Sequence, residues 1–133
     1  MNLEEAIVSL QQFHGHLGPY VAIGYRMGAL AREKLGQGKM KAIVFTGLKP
    51  PISCAVDGIQ VSTGSTLGKG LIRVENEGIV MAEFHVADKK IHIKLKDELR
   101  ARIDKEMSHE NEVALAREMM GMDWAKLFEV RAD

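Results

Sequence analysis

The 133-residue sequence predicts a single α+β domain, with a mixed or antiparallel sheet that carries helices on one face. Three observations support this class. Apolar residues recur at helical spacing near both ends of the chain, whereas over 71–95 they alternate with polar residues as in strands. No Pro/Gly/Ser-rich linker, internal repeat or low-complexity tract divides the chain. The hydrophobic share of 46% and the charged share of 27% are those of ordinary globular proteins.

Two helices are expected first. Asn2 and Glu5 can cap a helix over 2–12, and a second helix, over 19–35, begins at Pro19 and ends before Gly36. A glycine inside a helix costs about 1 kcal/mol relative to alanine, so the small residues of the second helix need a reason. They indicate close approach of another helix or a sheet or, less simply, a ligand passing over the helix. These small residues are Ala22, Gly24, Gly28, Ala29 and Ala31.

The central region supplies the predicted sheet. A strand over 41–48 ends at two prolines, a third helix covers 54–62, and the glycine-rich segment 64–70 is a loop. Three further strands are expected to form an antiparallel meander: 71–74, 79–86 and 91–95.

The turn between the last two strands is predicted to centre on Asp88 and Lys89, which places His85 opposite His92 on the outer face. That pair forms either a second metal site or, more simply, part of an exposed polar surface.

The end of the chain is predicted to be helical, which completes the order α-α-β-α-β-β-β-α-α. A second C-terminal helix is expected to run from Ser108 to just before Gly121, and Asp123 can cap a short last piece. The domain is thus expected to have an α+β core over 1–95 and C-terminal helices over 96–133. The first of these helices is marked by one apolar stripe: Leu99, Ile103 and Met107.

Charge and cysteine content exclude several classes of function. Basic and acidic residues number 18 each, so the formal net charge is zero, which disfavours binding to nucleic acid or to an anionic membrane. No stretch has the apolar length of a membrane span, and Glu4 and Glu5 lie where a signal peptide would carry positive charge. The single cysteine suits a reducing compartment. We therefore expect a cytoplasmic protein.

His14 and His16 flank Gly15 in the predicted break between the first two helices. Imidazole is the commonest protein ligand for metals, and alternate side chains of a turn can converge on one ion. A His-x-His pair is also found among ordinary polar turn residues, so it is weak evidence alone.

Cys54 adds a soft ligand at the predicted start of the third helix, where the helix dipole favours a thiolate. Asp57, three residues later, lies on the same face of that helix. Two imidazoles and one thiolate suit zinc, nickel or iron, and three protein ligands leave a coordination position open. The alternative is a buried, inert cysteine.

The glycine-rich loop over 64–70 does not match a nucleotide-binding phosphate loop. Its glycines are one residue too close, Gly70 stands where Ser or Thr is required, and a strand follows instead of a helix. The loop is either an anion site built from backbone N–H groups and Lys69 or a structural turn.

Two segments of the chain, FHGHLGPYVAIGYRMG over 13–28 and SCAVDGIQVSTGSTLGKG over 53–70, resemble the FmdE (FwdE-like) family of formylmethanofuran dehydrogenase proteins. The resemblance implies an α+β, usually dimeric domain with a transition-metal site between the two segments. The family commonly has Cys-Pro where this chain has Gly18-Pro19, and often a cysteine at Ser65. His14, His16 and Cys54 match the family as metal ligands, and Asp57, Gln60 and Lys69 match as neighbouring cofactor-binding positions.

From these residues we predict a homodimeric domain that binds a transition metal, zinc first and otherwise nickel or iron, in a non-catalytic binding, accessory or sensing role. We do not expect it to act as an enzyme by itself. The rival hypothesis is an accessory subunit or small enzyme of formylmethanofuran dehydrogenase-type one-carbon oxidoreduction, with a redox enzyme as partner. A third is a purely structural domain whose Met-rich helices contact another protein chain.

Overall fold

A computed structural model of the chain describes residues 2–132. Six helices and five strands follow one another along these residues: α1 (Leu3–His14), α2 (Pro19–Leu35), β1 (Met40–Val44), α3 (Cys54–Thr63), β2 (Ile72–Val74), β3 (Met81–Val86), β4 (Lys89–Leu95), α4 (Asp97–Glu106), α5 (Glu112–Gly121), α6 (Trp124–Leu127) and β5 (Phe128–Ala132). Among these residues no helix is both long and apolar enough to cross a membrane.

The strands form one mixed sheet in the order β2-β1-β3-β4-β5. β1 and β2 are parallel, and the other neighbouring strands are antiparallel. Alternate residues of β1, β3 and β4 are buried on the face that the helices cover, where Phe84 and Ile93 are fully buried. The predicted α+β class is confirmed. The predicted three-stranded meander is wrong in one respect, because β2 pairs with β1 and not with β3.

The last five described residues differ from the sequence-based expectation. They form β5, antiparallel to β4, so the segment 96–133 contributes a strand to the sheet as well as helices. Phe128 is buried opposite Leu95, and Val130 follows it on the same face. Only one helical turn, α6, separates α5 from this strand. The apolar–polar alternation over 128–132 is the signal that the helical prediction missed.

The β3–β4 hairpin has a different register from the predicted one. Its turn consists of Ala87 and Asp88, so His85 pairs with Lys90 and Glu83 with His92. Both registers place the same alternating set on the buried face, since they differ by two residues. His85 and His92 are therefore not directly opposite, and both approach Glu83: its carboxylate lies 2.7 Å from His85 Nε2 and 3.6 Å from His92 Nδ1.

Helices α2 and α3 approach each other more closely than any residue with a Cβ would allow. A Cβ on Gly24 would lie 2.0 Å from the carbonyl oxygen of Ala55, and one on Gly58 would lie 2.0 Å from that of Val21. This confirms that the small residues of α2 allow another helix to pack closely. The contact also fixes α3, with Cys54 and Asp57, against the start of α2 and the end of α1.

Candidate metal site between the first three helices

The turn between α1 and α2 positions both histidines of the first motif. Gly15 ends α1 in the left-handed conformation, with φ of 93°, and its N–H donates to the carbonyl of Gln11. His14 is consequently the last residue of α1, while His16 lies in the exposed turn before Pro19. The centroids of the two imidazole rings are 4.7 Å apart. The sequence motif therefore brings two imidazoles to one place.

His14 is held by a carboxylate from α3. Its Nδ1 lies 2.6 Å from Asp57 Oδ2, and 11% of its side chain is exposed. Because a carboxylate accepts hydrogen bonds, Nδ1 carries the proton, and in the neutral ring the lone pair is then on Nε2. That Nε2 is buried and has no hydrogen-bond partner among residues 2–132. A buried nitrogen without a partner is rare enough to need an explanation.

His14, His16 and Cys54 line one cavity of about 80 Å³, together with Gly18. Pockets for organic ligands typically measure about 300–1,000 Å³, so this cavity is too small for such a ligand. Since a water takes about 30 Å³ of liquid volume, the space suits an ion with one or two waters. The three sequence-predicted metal ligands thus share a cavity of ionic size.

Cys54 begins α3 and is half-buried. Burial raises the pKa of its thiol, and the negative charge of Asp57 raises it further. Burial and Asp57 thus oppose the thiolate that the start of the helix was expected to favour. A thiolate at Cys54 is therefore disfavoured unless a cation compensates its charge.

The three predicted cofactor-binding residues separate into two groups. Gln60 Nε2 donates to Asp57 Oδ1 at 3.4 Å, so both side chains lie behind His14. Gln60 Oε1 also accepts from the Leu67 N–H at 3.0 Å, which ties α3 to the glycine-rich loop. Lys69 instead donates to the carbonyl of Gly64 at 2.9 Å and does not line the cavity.

The cavity lining also includes residues that were not predicted as site residues, among them Tyr20, Met107 and Glu112. Tyr20 donates its hydroxyl to Asp104, and burial together with that hydrogen bond raises the pKa of its phenol. Met107 and Glu112 come from the C-terminal region, where α5 packs on α2. No local pattern indicates the contacts of Met107 and Glu112 with this site, so sequence reasoning had no signal for them, whereas Tyr20 lies within the first motif.

The geometry is not that of a preformed metal centre. Within residues 2–132, no three side chains of the His, Cys, Asp or Glu type are arranged to hold one ion.

The two departures from the resembled family differ in their distance from the site. A Cβ on Gly18 would lie 3.6 Å from His16 Nε2, in the cavity wall, whereas Ser65 is buried and donates to the carbonyl of Met40 at 2.6 Å. Only the Gly18 position bears on the site.

Comparison with known proteins places the chain in a family. A family model described as FmdE, molybdenum formylmethanofuran dehydrogenase operon, matches residues 13–129. A solved structure of a tungsten formylmethanofuran dehydrogenase FmdE-like protein from Syntrophus aciditrophicus has a TM-score of 0.75 and 25% identity, and the match covers 98% of this chain and 71% of that one.

A probable S-adenosyl-L-methionine-binding protein from Archaeoglobus fulgidus is 40% identical over 70 residues. Those residues make up 50% of this chain but 19% of the relative, so the match spans about a fifth of that relative's length. The family match, in contrast, covers nearly all of this chain and contains both motifs, 13–28 and 53–70. The chain belongs to the FmdE family.

Proposed function

We propose that this protein binds one transition-metal ion, zinc first and otherwise nickel or iron, through His14, His16 and Cys54. One observation carries the proposal: Asp57 fixes the proton of His14 on Nδ1, and the buried Nε2 has no hydrogen-bond partner among residues 2–132. A carboxylate behind a histidine is the usual support of a metal-ligating imidazole, because it orients the ring and makes the free nitrogen more basic.

The donor set also suits such an ion. Two imidazoles and a thiolate fit the coordination preferences of zinc, and three protein ligands leave a fourth position for water or a small ligand. Coordination requires His16 and Cys54 to rotate towards His14 Nε2, and His16 is exposed. The ion supplies the positive charge that the Cys54 thiol needs to lose its proton.

We further propose a non-catalytic accessory or sensing role, in association with an enzyme of the formylmethanofuran dehydrogenase type. Membership of the FmdE family supports this association, and the small cavity has room for an ion rather than an organic cofactor. Homodimerisation, which the family resemblance implies, is part of the proposal. Light scattering after size exclusion measures the oligomeric state directly.

Zinc affinity, measured by competition with a chromophoric chelator on untagged protein, tests the metal site. We expect His14→Ala and Cys54→Ala each to weaken binding at least tenfold, because loss of a residue that merely supports a ligand already costs about 10–100-fold. The matched control is His109→Ala, because His109 is 99% exposed and does not line the cavity. Equal affinities of the wild type and the two ligand variants would exclude the site.

A further inference from the structure

A second, larger cleft adjoins the candidate metal cavity. Its volume is about 470 Å³, within the range of about 300–1,000 Å³ that is typical of small-molecule sites. Pro51 and Met107 line both the cleft and the cavity that contains His14. A molecule in the cleft would therefore lie against the wall of the metal cavity.

The charges of the cleft favour an anion. Lys49 and Arg100 line it with two positive charges, and among residues 2–132 Asp104 supplies the one carboxylate of the lining. That carboxylate already has two interactions, since it accepts from the Tyr20 hydroxyl and lies 3.7 Å from Arg100 Nε. Arg100 also donates to the carbonyl of Gly78 at 2.8 Å, which holds the guanidinium in place. The lining thus keeps a net positive charge on a positioned arginine and an exposed lysine.

The other residues of the cleft lining indicate the chemistry of the uncharged part of a ligand. Ile52 and Met107 present apolar surface, while the buried Thr46 and the Asn76 side chain add polar groups. A site with one cationic end and one apolar wall is suited to a molecule with a charged head and an apolar body. Inorganic ions would leave the apolar wall without contacts.

We propose that this cleft binds a small organic anion, a carboxylate or a phosphate ester, beside the metal site. Lys49 and Arg100 bind its charged group, and Ile52 and Met107 contact its apolar part. The position of the anion next to a metal ion rests on the proposed function, whereas the anion site itself does not. The FmdE domain then combines an ion in the small cavity with an organic ligand in the adjoining cleft.

Titration with three aromatic compounds that differ in their head group tests the anion site. They are benzoate, phenyl phosphate and the uncharged benzyl alcohol. We expect at least one anion to bind tenfold more tightly than the alcohol, and the tighter anion identifies the head group. Its affinity should fall at least fivefold in Lys49→Gln and in Arg100→Gln, but not in Lys105→Gln, an exposed lysine of α4 outside the cleft. Equal binding of the alcohol, or wild-type anion affinity in both cleft variants, would overturn the proposal.

The visible spectrum of cobalt-loaded protein tests the link to the metal. We expect a saturating anion to change the cobalt absorption in the wild type, and the same concentration to have less effect in Lys49→Gln. An unchanged spectrum in the wild type would separate the cleft from the metal site. If no cobalt binds, the proposed metal function fails, while titration of the metal-free protein still decides whether the cleft binds anions.

Discussion

Replacing Asp57 with Asn tests whether the Asp57 carboxylate supports metal binding by His14. The substitution keeps the size of the side chain and an oxygen that can accept from His14 Nδ1, but it removes the charge of a 2.6 Å contact. Hydrogen bonds to charged groups contribute about 1.5–3 kcal/mol, and loss of such a supporting carboxylate typically costs about 10–100-fold in metal affinity. We expect zinc binding to weaken at least tenfold.

The same substitution should make the Cys54 thiol more reactive, although it weakens zinc binding. The negative charge of Asp57 is one cause of the raised pKa of the Cys54 thiol, so Asp57→Asn should lower that pKa. Because Cys54 is the single cysteine of the chain, the pH dependence of its alkylation by iodoacetamide measures the change. Asp57→Asn should therefore react faster at neutral pH although it binds zinc more weakly.

The control for both measurements is Asp88→Asn, in the exposed turn between β3 and β4. It should leave zinc affinity and alkylation rate at wild-type values. Wild-type zinc affinity in Asp57→Asn would refute the supporting role of the carboxylate. A slower alkylation would refute the electrostatic explanation of the thiol.

Three further predictions concern packing, the cavity wall and pH. Gly24→Ala should lower the free energy of unfolding by more than about 3 kcal/mol, the upper end of ordinary overpacking, because its Cβ would lie 2.0 Å from a backbone oxygen. The control Gly121→Ala should leave stability unchanged, since its Cβ would meet nothing within 4 Å. Urea unfolding compares the two variants, and equal stabilities would contradict the close helix contact. Gly18→Cys should raise zinc affinity at least tenfold, because it adds a thiol in the cavity wall. An unchanged zinc affinity in the chelator assay would count against the placement of the site. Arg102 lowers the pKa of Glu118, so this pair should stabilise the fold above the ordinary carboxyl pKa and lose its effect as the pH falls. Because the pair is largely exposed, Glu118→Gln should lower the free energy of unfolding by less than about 1 kcal/mol at pH 7. A loss of stability that persists at about pH 3 would argue against the pair as its source.

The fold class could be predicted because most of the local patterns agreed with the tertiary structure. The capping box of Asn2 and Glu5 forms as expected, and Pro19 opens α2. Gly24 indicated a close helix contact, since glycine inside a helix is costly without one. The position of β2 beside β1 could not be predicted, because strand neighbours depend on long-range packing and not on alternation.

The candidate site was predictable in its parts rather than in its arrangement. Residue chemistry and the family resemblance pointed to His14, His16 and Cys54, which share one cavity. The role of Asp57 against His14 depends on the packing of α3 on α1, 43 residues apart in sequence, and no spacing rule gives that contact. The raised pKa of Cys54 likewise follows first from burial, which is not visible in the sequence.

X-ray absorption spectroscopy at the zinc edge tests the central claim most directly, because it counts the ligands of the bound ion. The protein should be loaded with one equivalent of zinc and measured beside Cys54→Ala. We predict one sulfur ligand at about 2.3 Å and two imidazole nitrogens at about 2.0–2.1 Å, with the sulfur absent in the variant. A shell made only of oxygen ligands, or one without imidazole scattering, would contradict a metal site at His14, His16 and Cys54.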